Sequence, residues 1–162
     1  MNDSIDIQHS DERRSRIKKE IKQLISERNG VLSMYCNLAG CDGSNKTKAS
    51  DINPDDLQDF CQLLIDYIAS GHFELYRRIS EGEERRKDIV KLANVIYPRI
   101  EKTTQTAVDF NDVYIEKNIS SVDSLTQDLS KLGEDLATRI ELEDQLINTI
   151  LTPKPEAAEV LQ

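Results

Sequence analysis

The spacing of apolar residues along the chain predicts four long amphipathic helices. Leu, Ile, Val and aromatic residues recur every three or four positions, and polar segments separate the periodic stretches. The predicted helices cover about residues 11–38, 54–80, 83–118 and 121–151. Four such helices with short connections are typical of an antiparallel four-helix bundle, so we predict an all-α fold in which residues 11–151 form one domain. We expect disordered tails at residues 1–10 and 152–162.

Two prolines refine the predicted boundaries. Asn53 and Pro54 precede the second helix as its N-cap and first helical residue, an arrangement that favours a helix start. Pro98 falls inside the third apolar pattern, where a proline removes a backbone hydrogen bond and clashes with the preceding turn. We therefore predict a short extra helix before Pro98, ending near Ile96, and a longer helix after it.

The stretch from Asp55 to Ile79, read as one helix, carries two different faces. The predicted core face consists of Leu57, Cys61, Leu64, Ile65, Ile68, Leu75 and Ile79. The opposite face carries Asp59, Gln62, Leu63, Asp66, Ser70 and Phe73. A fully solvated face has no need of Leu63 and Phe73, and apolar groups among carboxylates indicate a docking surface. The residues alone leave open whether Phe73 contacts a partner or packs under the third helical region or the 40–53 loop.

Two charged residues interrupt the apolar seams of the helices. Arg28 lies between Leu24 and Val31 on the first helix, and Glu143 lies on the seam of the last one. In an antiparallel bundle these two side chains can face one another, and Arg139 also has the i, i+4 spacing for a pair with Glu143. The pattern allows a buried ion pair that sets the register of the helices, which we favour, or a polar binding pocket inside the bundle.

The composition narrows the class of partner. The 162-residue chain has a formal charge of −9, which repels nucleic acid and anionic lipid and attracts a basic protein. Cys36, Cys41 and Cys61 form an odd set without disulfide spacing, which indicates reduced thiols. The first residues lack the pattern of a signal peptide, and no apolar run approaches the ~20 residues that span a bilayer. We expect a soluble cytoplasmic protein that binds neither nucleic acid nor membranes directly.

The sequence contains no recognisable catalytic or metal-binding motif. Di-metal helical bundles use Glu-x-x-His pairs, and neither His9 nor His72 has a Glu three residues before it. Cys61 and His72 lie three turns apart on one predicted helix, too far for a nucleophile and its base. A zinc site built from Cys36, Cys41, Cys61 and His72 would have loose spacing, which favours free cysteines and a hydrogen-bonded histidine. We predict a non-enzymatic protein without metal or cofactor.

One stretch of the chain resembles a known family. The segments DFCQ at 59–62, LIDY at 64–67 and SGHF at 70–73, followed by Tyr76, Arg78 and Ile79, resemble the central motif of the Rsd/AlgQ family. This family consists of bacterial regulators of the primary sigma factor. Further similarities in the first helix, at Tyr97-Pro98 and in the last helix extend the resemblance over about residues 20–151.

The resemblance implies a helical bundle that binds the C-terminal domain of the primary sigma factor, a basic helix-turn-helix module that reads the −35 promoter element. Such binding would keep sigma from core RNA polymerase and from the promoter, and would favour alternative sigma factors, as in stationary phase. The sigma-contacting positions of the family correspond to Asp66 and Phe73, with Ala69 where the family can have Ser. On this interpretation His72 is a structural polar residue of the core, together with Arg28 and Glu143.

The first helix departs from the family pattern. Where the family often has Asp-Arg-Trp-Leu, this chain has Lys22, Gln23, Leu24 and Ile25, so the family's first-helix contacts do not carry over. An alternative without sigma binding is a bundle that docks another regulatory protein or a second copy of itself. A third possibility is an enzyme or ligand carrier that uses the interior around Arg28 and Glu143.

Overall fold

The computed structural model describes residues 2–40, 52–80, 84–115 and 122–152. The elements are α1 (Asn2–Ala39), α2 (Pro54–Ser70), a π-helical turn (Gly71–Tyr76), α3 (Arg77–Ser80), α4 (Lys87–Tyr114) and α5 (Val122–Leu151). α2, the π turn and α3 form one continuous helical segment, because Ser70, Gly71 and Arg77 all have right-handed helical dihedral angles. This segment and α1, α4 and α5 are the four members of the predicted all-α bundle, and the described residues contain no strand.

The helices run antiparallel to their neighbours. The first half of α1 lies beside α3, where Arg78 Nη2 donates to Glu20 Oε1 at 2.8 Å, while the ring of Tyr35 near the end of α1 lies 6.2 Å from that of Phe60 in α2. α1 also contacts α5, because the Tyr35 hydroxyl donates to the carbonyl oxygen of Leu129 at 2.8 Å. α2 packs on α4 and α4 packs on α5, so the four members close into a ring.

Two helix starts test the sequence-based boundaries. Asn53 caps α2 as predicted, because its side chain accepts a hydrogen bond from the Asp55 backbone N–H at 2.8 Å. α1 begins at Asn2, so the helix starts earlier than the predicted start at Asp11. Residues 2–10 contain no Pro or Gly, and acidic residues at positions 3 and 6 favour a helix N-terminus.

At the other end of the chain, α5 ends at Leu151 as predicted. The tail at 153–162 and most of the predicted 40–53 loop lie outside the described residues. Within the described ranges, no helix is long and apolar enough to cross a lipid bilayer.

The prediction of a separate short helix before Pro98 is wrong, because α4 continues through this residue. Pro98 lies on the exposed side of α4, and so does Asn94, whose carbonyl loses its usual hydrogen-bond donor to the proline ring. Water can therefore solvate the freed carbonyl. Ile96 and Ile100 on either side are both buried, and their packing favours a helix that continues through Pro98.

The interior consists of two apolar cores separated by a polar layer. One core is built around Phe60, Phe110 and Leu132, and the other around Leu24, Ile96 and Leu146. Between them lie buried or half-buried polar side chains from three helices: Arg28 of α1, Thr103 of α4, and Arg139 and Glu143 of α5. This layer lies at the same level of the bundle as the π turn, because Gly71 packs against Arg139.

Candidate partner-binding site

The outward side of α2 and the π turn presents a mixed apolar and acidic surface. We call it the α2 outer face, and it consists of Asp59, Leu63, Asp66, Ala69, Ser70 and Phe73. Phe73 is 60% exposed and Leu63 is 37% exposed, whereas the aromatic residues Phe60 and Tyr67 of the same segment are buried. Phe73 is therefore not tucked under the third helical region, one of the two alternatives considered from the sequence.

Two carboxylates precede the exposed phenylalanine on this face. Asp59 and Asp66 are both exposed and lie seven residues apart, which places them on one side of α2 two turns from each other. The Gln62 side chain donates to Asp66 Oδ1 at 3.1 Å and restrains that carboxylate. Phe73 follows on the same continuous helical segment and is exposed like Asp59 and Asp66, so the apolar ring lies after the carboxylates on the outward side.

The π turn changes which residues behind this face point inward. In an uninterrupted α-helix, nine residues correspond to a rotation of about 180°, so Tyr67 and Tyr76 would lie on opposite sides. A π-helical turn adds one residue and removes about 100° of that rotation. Both tyrosines are consequently buried, and both donate to the same carboxylate, that of Glu143. Arg77 N–H donates to the His72 carbonyl, the five-residue spacing that defines the turn.

Glu143 is the centre of the polar layer. Tyr67 donates to Glu143 Oε1, and Tyr76 donates to Oε2 at 3.3 Å. Arg28 Nη1 lies 3.7 Å from Oε1, and Arg139 Nε lies 3.3 Å from Oε2. The buried ion pair expected from the seam positions is thus present, and α1, α2, the π turn and α5 converge on one carboxylate.

Each of the two arginines also donates hydrogen bonds through its Nη1 atom to partners other than Glu143. Arg28 Nη1 donates to Asp144 Oδ1 at 2.8 Å, toward the outside of the bundle. Arg139 Nη1 donates to the hydroxyl groups of Thr103 and Thr104 on α4, at 3.2 and 2.8 Å. All four members of the bundle therefore contribute to this polar cluster, which consists of Arg28, Tyr67, Tyr76, Thr103, Thr104, Arg139, Glu143 and Asp144.

Burial controls the ionisation of the cluster. Loss of hydration raises the pKa of the Glu143 carboxyl, although Arg139, Tyr67 and Arg28 oppose this shift. Burial and the Glu143 charge both raise the pKa values of Tyr67 and Tyr76 well above their ordinary range. The two phenols therefore remain protonated hydrogen-bond donors at any physiological pH.

The prediction that His72 belongs to the polar core is wrong. His72 is exposed, and its ring packs edge-on against Phe73 with the ring centroids 5.0 Å apart. The π turn brings Tyr76, and not His72, to the position that faces Glu143. His72 instead lines a cleft of about 310 Å³ between the π turn and α4, together with Tyr97 and Arg139.

The comparisons with known proteins place this architecture in a family. A family described as "Regulator of RNA polymerase sigma(70) subunit, Rsd/AlgQ" matches residues 5–151 of the chain. This chain belongs to the Rsd/AlgQ family. No solved structure matches it.

Several curated relatives carry the name Regulator of sigma D. The protein of Yersinia pestis bv. Antiqua (strain Angola) is 39% identical over 130 residues, which cover 78% of this chain and 76% of the relative. That of Yersinia enterocolitica serotype O:8 is 36% identical over 145 residues, or 88% of this chain and 86% of the relative. That of Shigella dysenteriae serotype 1 is 36% identical over 135 residues, or 82% and 84% of the two chains.

The Rsd/AlgQ motif spans two structural roles. Its residues between Asp59 and Ile79 supply the exposed α2 outer face on one side and the buried tyrosines of the polar cluster on the other. At the departure from the family in α1, Lys22 and Gln23 are exposed, whereas Leu24 is buried and packs near Gly71. This segment therefore presents polar groups outward and also contributes to the core.

The roles of Tyr67 and Tyr76 were not predicted from the sequence. A regular α-helix with 3.6 residues per turn places them on opposite sides, so they are not expected to contact the same group. One available signal was the presence of Arg28 and Glu143 on apolar seams, because buried charges require hydrogen-bond partners and tyrosine hydroxyls can supply them. Gly71 was a second signal, because it marks the point at which the helical spacing changes.

Proposed function

We propose that this protein is an anti-sigma regulator that binds the C-terminal, −35-reading domain of the primary sigma factor through the α2 outer face. Family membership supports a sigma factor as partner, because the family and the relatives are described as regulators of sigma. Sequestration of that domain would compete with its contacts to core RNA polymerase and to promoter DNA. The protein performs no chemical step in this role.

The exposure of Phe73 is the main observation that supports the α2 outer face as the binding surface. A phenylalanine that is 60% exposed stands on a helix whose other aromatic side chains are buried. Complete burial of a phenylalanine contributes about 1.5–3 kcal/mol, so covering the exposed part is worth roughly 1–2 kcal/mol. Exposed aromatic residues at the centre of an interface are frequent binding hot spots. Phe73 is thus the expected apolar anchor of the complex.

The carboxylates of the same face provide the complementary charge. The expected partner domain is basic, and the exposed Asp59 and Asp66 lie on either side of Leu63. Opposite charges across an interface accelerate association and select the orientation of the two partners. Asp59 and Asp66 therefore act mainly on the association rate, while Phe73 acts mainly on the lifetime of the complex.

Calorimetric titration of the full chain with the isolated C-terminal domain of the primary sigma factor tests this function. We expect one-to-one binding, weakened about tenfold to thirtyfold by Phe73→Ala, which corresponds to about 1.4–2 kcal/mol. Asp66→Asn should slow association, and its effect should shrink at high salt because screening weakens the attraction. Both variants should fold normally, because both side chains are exposed.

Val95→Ala serves as the matched control. Val95 is 68% exposed on α4 and lies away from the α2 outer face, so its truncation should leave binding unchanged. Wild-type affinity in both Phe73→Ala and Asp66→Asn would refute the assignment of the surface. Absence of binding by the wild-type chain would refute the proposed function and favour docking of another regulatory protein or of a second copy.

A further inference from the structure

The π turn lies at the junction of the α2 outer face and the polar cluster. Phe73 is a residue of this turn, whereas Asp59 and Asp66 belong to the regular α-helix before it. The direction of the Phe73 side chain relative to the two carboxylates is therefore set by the conformation of the turn. An α-helical and a π-helical turn place Phe73 differently on the same surface.

Contacts on the inner side hold the turn. Tyr76, its last residue, is buried, donates to Glu143 and lies with its ring 6.0 Å from the Arg139 guanidinium. Gly71, its first residue, packs so closely that a Cβ atom there would lie 3.3 Å from Arg139 Nη2 and 3.4 Å from the Tyr76 ring. Both ends of the turn are thus fixed to the polar cluster, and the exposed Phe73 lies between them.

We infer that the π turn is a positioning device for the binding face, in which Tyr76 and Glu143 are positioning residues that orient Phe73 relative to Asp66. The predicted effect of the turn on binding rests on the proposed function. The extra residue of the turn accounts for about 100° of rotation in total. Phe73 lies in the middle of the turn and takes about half of that rotation, enough to aim its ring toward a different part of a partner surface.

Deletion of one residue can remove the π turn while the rest of the fold is kept. Without Glu74, Tyr76 follows Tyr67 by eight residues, and eight α-helical residues rotate by about 80°, close to the angle that the π turn produces now. The deletion therefore converts the turn to α-helix while Tyr76 still faces Glu143 and the downstream core is kept. Asp66 and Phe73 keep their seven-residue spacing, but Phe73 points in a new direction.

The experiment compares the wild-type chain, the Glu74 deletion and the matched control Glu74→Ala, which removes the same side chain but keeps the residue count. The chain has three phenylalanines, so biosynthetic labelling with fluorophenylalanine gives three 19F signals. Phe60 and Phe110 are buried and serve as internal references. We expect the deletion to keep the helical circular dichroism and the reference signals, to move the Phe73 signal, and to weaken sigma-domain binding at least tenfold. Glu74→Ala should behave like wild type.

A folded deletion variant with an unchanged Phe73 signal and wild-type affinity overturns the inference. If the deletion variant does not fold, Tyr76→Phe decides, because it removes only the hydroxyl that donates to Glu143. We expect a displaced or broadened Phe73 signal and weaker binding, and wild-type behaviour of this variant overturns the inference. If the wild-type chain itself does not bind sigma, the proposed function fails, while the 19F signal still reports whether the turn orients Phe73.

Discussion

The contact between α1 and α5 gives a sharp prediction for the glycine at position 133. Gly133 lies directly against the ring of Tyr35, and a Cβ atom there would lie 2.7 Å from Tyr35 Cζ and closer still to the hydroxyl oxygen. No alanine fits unless the ring moves. Movement of the ring would break the hydrogen bond from the Tyr35 hydroxyl to the Leu129 carbonyl.

The expected magnitude follows from three contributions. Alanine is favoured over glycine within a helix by about 1 kcal/mol. Overpacking costs about 1–3 kcal/mol, and the lost hydrogen bond costs about 1 kcal/mol. Gly133→Ala should therefore lower the free energy of unfolding by about 1–3 kcal/mol, and for a chain of this size each kcal/mol corresponds to about 2–4 °C in the melting temperature.

Gly30→Ala is the matched control, because no atom lies within 4 Å of the position of its Cβ. It should raise the free energy of unfolding by about 0.5–1 kcal/mol. Urea unfolding followed by circular dichroism measures both variants. In a Tyr35→Ala background the obstruction is absent, so Gly133→Ala should become stabilising there. Equal stabilisation by Gly30→Ala and Gly133→Ala in the native background would refute the reasoning.

Two further predictions concern the polar cluster and α4. Because burial raises the pKa of Glu143, the folded state retains this proton to higher pH than the unfolded chain does. The stability of the wild type relative to Glu143→Gln should therefore fall as the pH rises above about 4.5. Urea unfolding of both proteins between pH 4 and 8 measures this difference, and a wild type that gains stability relative to Glu143→Gln as the pH rises would contradict the sign. Pro98→Ala restores a donor for the Asn94 carbonyl, so it should stabilise the fold by about 1–3 kcal/mol in thermal unfolding, and a lower melting temperature would contradict this.

The fold was predictable where local signals and packing agree. Asn53 and Pro54 start α2 as expected, and α5 ends at Leu151 as expected. The prediction failed at Pro98, because the local cost of one missing hydrogen bond is outweighed by the burial of Ile96 and Ile100 on both sides. Propensity rules do not include that tertiary contribution.

The candidate site was predictable only in part. The exposure of Leu63 agrees with the outward face derived from helical spacing, since the spacing before Gly71 is regular, and Phe73 within the π turn is also exposed. The positions of His72 and Tyr76 were not derivable in this way, because the π turn changes the rotation per residue within the site. Helical periodicity assumes the same angle of rotation for every residue. It therefore cannot detect a turn that directs Tyr76, and not His72, toward the interior.

The polar layer explains why the helices adopt one register. Apolar seams alone permit neighbouring helices to slide by one turn with little loss of buried surface. Here such a slide would move Glu143 away from Tyr67, Tyr76 and Arg28 and leave the buried carboxylate with only Arg139 of its own helix, at a cost of several kcal/mol. Because Tyr76 also ends the π turn, the interaction that selects the helix register also fixes the direction of Phe73. The buried cluster thus contributes specificity to the fold and geometry to the α2 outer face, even where its net contribution to stability is small.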